Sequence, residues 1–261
     1  MNKRFRFIHI EKAAGTSFHE AFFQSIKGYH VYYPFNWKID NYLDQYTPER
    51  DQDLVSGLFG FKHGGGHSLR SFSHLNPEGY IFFTLLRNPV DRFISHYYHH
   101  KEVLKRDITF AEFANDDLMH NFMCKRISGE NSFLKAKAEI ERTKMMLGIL
   151  EDLPHSIDIL NSRLVAEKIG CIDEIPLSNT RNSRGGEVDL KLTKEELTLA
   201  KACNTEDILL YEYAKSKLDA LKESQVYCHC QAVSLTHYRL RNRFVSRFLV
   251  RPLELLLRYV K

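Results

Sequence analysis

Three groups of side chains in this sequence have chemistry available to them. Lys12 stands in His9-Ile10-Glu11-Lys12-Ala13-Ala14-Gly15-Thr16-Ser17. There Ala13, Ala14 and Gly15 let the backbone approach an anion, and Thr16 and Ser17 sit where a helix start takes hydroxyls. A strand–loop–helix of this kind points backbone N–H groups and the positive end of a helix dipole at one spot, the geometry that holds a phosphate. Arg87 follows the apolar run 80–86, at the carboxyl end of a buried strand, where open α/β sheets bind ligands. His63 and His67 bracket three glycines, and a histidine titrating near neutrality suits a general base. The polar stretch 177–186 adds Arg181 and Arg184 among hydroxyls, useful for a second phosphate.

Elements must carry these groups to one place. Ile8 and Ile10 alternating with polar residues predict a first strand, followed by a helix over 17–27. Residues 29–37 are aromatic-rich, and Tyr32, Tyr33, Phe35 and Trp37 read either as core or as the lining of an acceptor cleft. A second short strand is expected over 58–62, running into 63–67 as the most flexible segment. Residues 80–86 form the clearest buried strand, apolar nearly throughout as in a two-sided parallel sheet. Pro89 opens a helix reaching about 106. Beyond it the chain reads as mostly helical, with Thr109 capping 110–122, a short strand over 147–150, a capping box at Thr193-Lys194-Glu195-Glu196 and a last amphipathic helix over 207–224. The expected fold class is α/β, a central parallel sheet flanked by helices. A body over 1–224 is followed by a basic tail over 225–261.

Composition narrows the partners. With 43% hydrophobic and 27% charged residues the chain is an ordinary globular one, and no run approaches the roughly 18 apolar residues of a membrane span. The net charge of +4 is uneven: the stretch 228–261 holds six arginines and one lysine against Glu254, which leaves the body slightly acidic. That distribution argues against a nucleic-acid binder. Basic residues at the N-terminus lack an apolar signal core behind them. Five scattered cysteines argue against a disulfide framework and for a reducing, cytoplasmic setting. Cys228-His229-Cys230 is half a metal site at most, with no second pair at zinc spacing.

Separated motifs in this sequence resemble one family, the carbohydrate sulfotransferases that include heparan sulfate 2-O-sulfotransferase and its bacterial relatives. The loop at 9–17 is similar to their "H-I-P-K-T-G-G-T-S". Leu86-Arg87-Asn88-Pro89-Val90-Asp91-Arg92-Phe93-Ile94-Ser95-His96-Tyr97-Tyr98 is similar to "L-R-D-P-V-E-R-F-I-S-H-Y-Y", and Gly66-His67 stands where that family carries a Gly-His. Weaker echoes follow at 121–129, at 148–157 and at Asp207-Ile208-Leu209-Leu210-Tyr211. The departures are Glu11 for proline, Ala13-Ala14 for Thr-Gly and Asn88 for aspartate.

The resemblance implies a nucleotide-kinase-like α/β fold of the P-loop sulfotransferase type and a donor, 3′-phosphoadenosine 5′-phosphosulfate (PAPS), that leaves as adenosine 3′,5′-bisphosphate. It assigns Lys12, Ala13, Ala14, Gly15, Thr16 and Ser17 to the 5′-phosphosulfate. Arg87 and Ser95 go to the 3′-phosphate, with Arg181 as a further contact. His67 becomes the base that takes the acceptor's proton, with His63 in reserve, and Lys12 steadies the departing phosphate. No metal is required, because the motif brings its own cations. The acceptor implied is a carbohydrate or glycolipid hydroxyl. A P-loop kinase or NTPase is the alternative, yet a Walker lysine directly follows the last glycine, whereas Lys12 precedes Gly15 by three. In the tail, Arg239, Arg243, Arg247 and Arg251 recur every four residues beside Phe244 and Phe248. The stretch 233–261 is therefore expected either to lie on an anionic membrane face or to pack on the body or a second copy.

Overall fold

A computed structural model describes residues 3–33, 46–176, 192–223 and 236–252. Its centre is a five-stranded sheet in the order β2-β3-β1-β4-β5, parallel throughout. The strands are β1 (Arg4–Ile8), β2 (Tyr29–Tyr32), β3 (His63–Gly66), β4 (Tyr80–Leu86) and β5 (Met146–Ile149). Period-2 alternation sends side chains to two cores. Phe5, Phe7, Ile81, Phe83 and Leu85 pack under α1 (Gly15–Ser25) and the later helix α7 (Leu153–Ala166). Ile8, Phe82, Leu86, Leu147 and Ile149 pack on the other face under α5 (Phe122–Ser128), α6 (Phe133–Thr143) and α9 (Thr205–Glu223). All seven residues of β4 are buried, as a strand covered on both sides requires.

The glycine run departs from expectation. Residues 49–59 form a helix, α2 (Glu49–Phe59), ending at Gly60 with φ 72°, and the predicted strand at 58–62 is absent. The strand is His63–Gly66 itself, so this segment is a sheet element and not the flexible loop. It needs glycine because β1 and β2 crowd it. A Cβ on Gly64 would lie 2.6 Å from the Tyr32 ring, one on Gly65 2.2 Å from the Tyr29 hydroxyl, and one on Gly66 2.0 Å from the Tyr32 carbonyl. Tyr32 is accordingly buried core and presents no face to a sugar; Trp37 lies outside the described residues.

Smaller differences follow from capping. The helix after Pro89, α3 (Pro89–Tyr98), gives way to a π turn over His99–Val103. The predicted helix 110–122 is cut short: α4 (Phe110–Ala114), capped by the Thr109 box, is followed by a 3-10 turn over Asp117–Met119, and α5 starts only after Asn121 at φ 44°. The second capping box opens α8 (Lys194–Ala202) as expected. Cys171 is disulfide-bonded, while Cys124 and Cys203 are free. Cys171 is thus one exception to the reading against a disulfide framework, since spacing along a chain does not report approach in space. Finally, α10 (Thr236–Val245) packs on α1 and β2. Asn242 donates to the carbonyls of Phe23 and Ile26, and Ser246 lies 2.6 Å from His30 Nδ1.

Candidate active site

β1 and β3 are in register with Ile8 opposite Gly66, so the residues leaving the sheet next, His9 and His67, emerge side by side. Their rings stand 3.8 Å apart between centroids. Beyond His9 the chain makes a tight turn in which Lys12 (φ 68°) and Ala14 (φ 55°) are left-handed. It then enters α1 at Gly15, where an added Cβ would fall 1.9 Å from His9 Nε2. Only glycine lets the helix begin against that imidazole. No side chain caps α1 and no acid stands in its first turn, so its leading amides and dipole favour an anion. Arg87, just past β4, donates from Nη1 to the Lys12 carbonyl at 3.2 Å. The turn thereby gathers Lys12, Arg87 and the amide-rich helix start at the carboxyl ends of β1 and β4.

Glu11, which replaces the proline of the resembling motif, turns inward and is buried. Its Oε1 accepts from His67 Nδ1 at 2.8 Å, and its Oε2 lies 3.3 Å from Nε of the fully buried Arg126. Arg126 also donates to the carbonyls of His9 (2.6 Å) and His67 (2.7 Å), and Arg70 donates to the same His67 carbonyl at 2.6 Å. Burial pushes the Glu11 carboxyl up, but Arg126 and His67 outweigh it and hold the group well below the usual carboxylate range. Burial also moves His67 below its ordinary value; Glu11 opposes that shift, while Arg126 and Arg70 add to it. An ionised carboxylate can only accept, so Nδ1 carries the proton and Nε2 is the basic atom of the ring. Behind this pair, His9 Nδ1 meets His19 Nε2 at 3.0 Å and His19 Nδ1 meets the Tyr29 hydroxyl at 2.8 Å. Burial holds both histidines well below the ordinary histidine pKa, and so neutral.

The weaker sequence echoes turn out to brace these parts. Asn88 caps α3 through the Val90 and Asp91 amides, as the aspartate it replaces would. Glu151 accepts from the Asn88 amide and from the Tyr211 hydroxyl, linking α3 to α9. Asp207 accepts from the amides of Met123 and Cys124, starting the helix that carries Arg126.

Of the expected site residues, Lys12, Ala13, Ala14, Gly15, Thr16, Ser17, Arg87 and His67 come to one edge of the sheet. Ser95 lies on the second turn of α3, half-buried. His63 does not join them. It opens β3 at the opposite end of the strand, where its Nδ1 accepts from the Phe5 amide, and burial lowers its pKa to about 3. That removes it as the reserve base. Arg181 lies outside the described residues, as does Cys228-His229-Cys230. Among the described residues no cluster of three or more His, Cys, Asp or Glu is placed to hold a metal ion, and no helix is long and apolar enough to cross a membrane. Sequence reasoning missed Glu11 and Arg126 as a pair. The one signal was an acid where the motif has proline, since a buried carboxylate requires a cation somewhere.

Converging positive charge beside a histidine held neutral is what a group-transfer enzyme with an anionic donor requires. The sequence model described as the sulfotransferase family matches residues 2–214, most of the chain, and the protein belongs to that family. Its activity is accordingly sulfuryl transfer. No curated protein matches the sequence. Among solved structures, the sulfotransferase from Alicyclobacillus acidocaldarius is similar at 14% identity, covering 82% of this chain and 98% of that one with a TM-score of 0.42.

Proposed function

We propose that this sulfotransferase moves the sulfuryl group of PAPS to a hydroxyl of a carbohydrate or glycolipid, with His67 as general base. The observation that carries the reading is the 2.8 Å contact between Glu11 and His67, which ties the anion-binding turn to the histidine strand. The donor set of the turn suits a phosphosulfate: an uncapped helix start, a lysine and an arginine. Lys12 and the backbone of 13–17 would hold the phosphosulfate, and Arg87 with Ser95 the 3′-phosphate, Arg181 being a further proposed contact. PAPS supplies the sulfuryl group, and its phosphate is the leaving group. The chain does the rest. His67 Nε2 accepts the proton of the acceptor hydroxyl while Glu11 keeps Nδ1 protonated and the ring in place. Lys12, on a flexible stem, follows the charge that grows on the departing oxygen.

Replacing His67 with alanine should lower turnover by about 10²–10⁴-fold while PAPS binding by calorimetry persists; near-normal turnover would remove His67 from the role. Binding of ATP with magnesium in preference to PAPS would instead favour the kinase reading. The acceptor class is tested by incubating PAPS with a panel of glycans and glycolipids and looking for a sulfated product.

A further inference from the structure

The C-terminal helix has two unlike faces. Asn242, Ser246 and Val250, spaced every four residues, point into the body: Asn242 bonds to α1 and the loop after it, Ser246 to His30, and Val250 packs on Val55 and Phe61. The outward face carries Phe244, Phe248 and Leu249 at 61%, 57% and 47% exposure. The two phenylalanine rings lie 5.1 Å apart, and Arg247 sits over Phe248. Arg243 pairs with Glu20 and Arg251 stacks on Tyr33 at 4.6 Å, so arginines flank the aromatic patch. The stretch 236–252 contains five arginines and no acid.

We infer that this face docks on an anionic phospholipid surface. Two large aromatics and a leucine in water favour an apolar phase, and the surrounding arginines select one with a negative rim. A second copy of the chain is a poorer occupant, because a symmetric contact would bring like-charged arginine sets together. The placement also has a consequence for the site. Arg251 reaches Tyr33 at the carboxyl end of β2, whose Tyr32 pairs with Gly66, the residue before His67. A docked face would thus hold the catalytic edge of the sheet near the bilayer surface, where a lipid-linked hydroxyl is presented.

The test is flotation of the full-length protein with vesicles of phosphatidylcholine alone and of phosphatidylcholine mixed with phosphatidylglycerol. The expected result is at least about tenfold more protein carried by the anionic vesicles and release by high salt. The double variant Phe244→Ser/Phe248→Ser should lose at least about tenfold of that binding with an unchanged melting temperature. Arg247→Glu, which keeps both rings, should lose about fivefold or more. The inference is overturned by equal binding to neutral vesicles, by no binding to either kind, or by variants that bind like the parent. It is overturned equally if light scattering finds a dimer that the double variant splits, which would make the patch a self-association face.

Discussion

Glu11 decides how His67 can act. A buried carboxylate beside a half-buried imidazole selects one tautomer, and Arg126 keeps that carboxylate ionised. In Glu11→Gln the amide can offer an N–H to Nδ1 and so favour the wrong tautomer. Turnover should then fall by about 10²-fold or more, with PAPS affinity by calorimetry within about twofold of the parent. A pH profile separates this from simple loosening. In the proposed role His67 must be unprotonated to accept a proton, so turnover should fall as pH drops through its folded pKa, which lies below the ordinary histidine value. Glu11 is among the groups that raise that pKa, so its removal should move the acid limb to still lower pH while reducing the plateau. A profile unchanged in position and height would deny Glu11 the role.

At the scale of elements, β3 is the tightest part of the molecule. Gly66 has φ 144°, and the Tyr32 carbonyl stands where its Cβ would be. Gly66→Ala therefore strains the backbone and separates β3 from β2, and should destabilise by about 3 kcal/mol or more, measured as a fall in the denaturant midpoint. His67 immediately follows, so residual folded protein should also show lowered turnover. An unaltered midpoint would contradict the crowding seen at this strand. The run His63–Gly66 illustrates a general limit. Three glycines carry no hydrophobic pattern, so the sequence reads as loop; the strand exists because neighbouring tyrosines need the space that the missing side chains leave. By contrast β4, the Thr109 cap and the Thr193 capping box were legible, because apolar runs and cap residues act over a few neighbouring positions.

At the scale of the molecule, several histidines are buried among the described residues. His9, His19 and His96 are held by burial well below the ordinary value of 6.5. Each takes up a proton in the unfolded chain near pH 6.5 but not in the folded one until much lower pH. Their contribution to stability is therefore present above about pH 6.5 and is lost as pH falls below it. Stability should therefore fall between pH 7 and 5. Urea midpoints should decline over this range, before most carboxylates titrate. A flat profile between pH 7 and 5 would show that these rings are not neutral in the fold.

The motifs themselves determined the family and the parallel sheet and pointed to the turn after β1 and to Arg87, because strand–loop–helix signals and the arginine after β4 are local in the chain. Tertiary structure set the two histidines apart. β3 separates them along its length, and the register of Ile8 with Gly66 brings only His67 to the loop. It also explained Glu11, whose partners lie 56 and 115 positions away in the chain. Neither spacing nor composition carries such a contact; it exists only once packing has removed the carboxylate from water and left Arg126 and His67 to meet it.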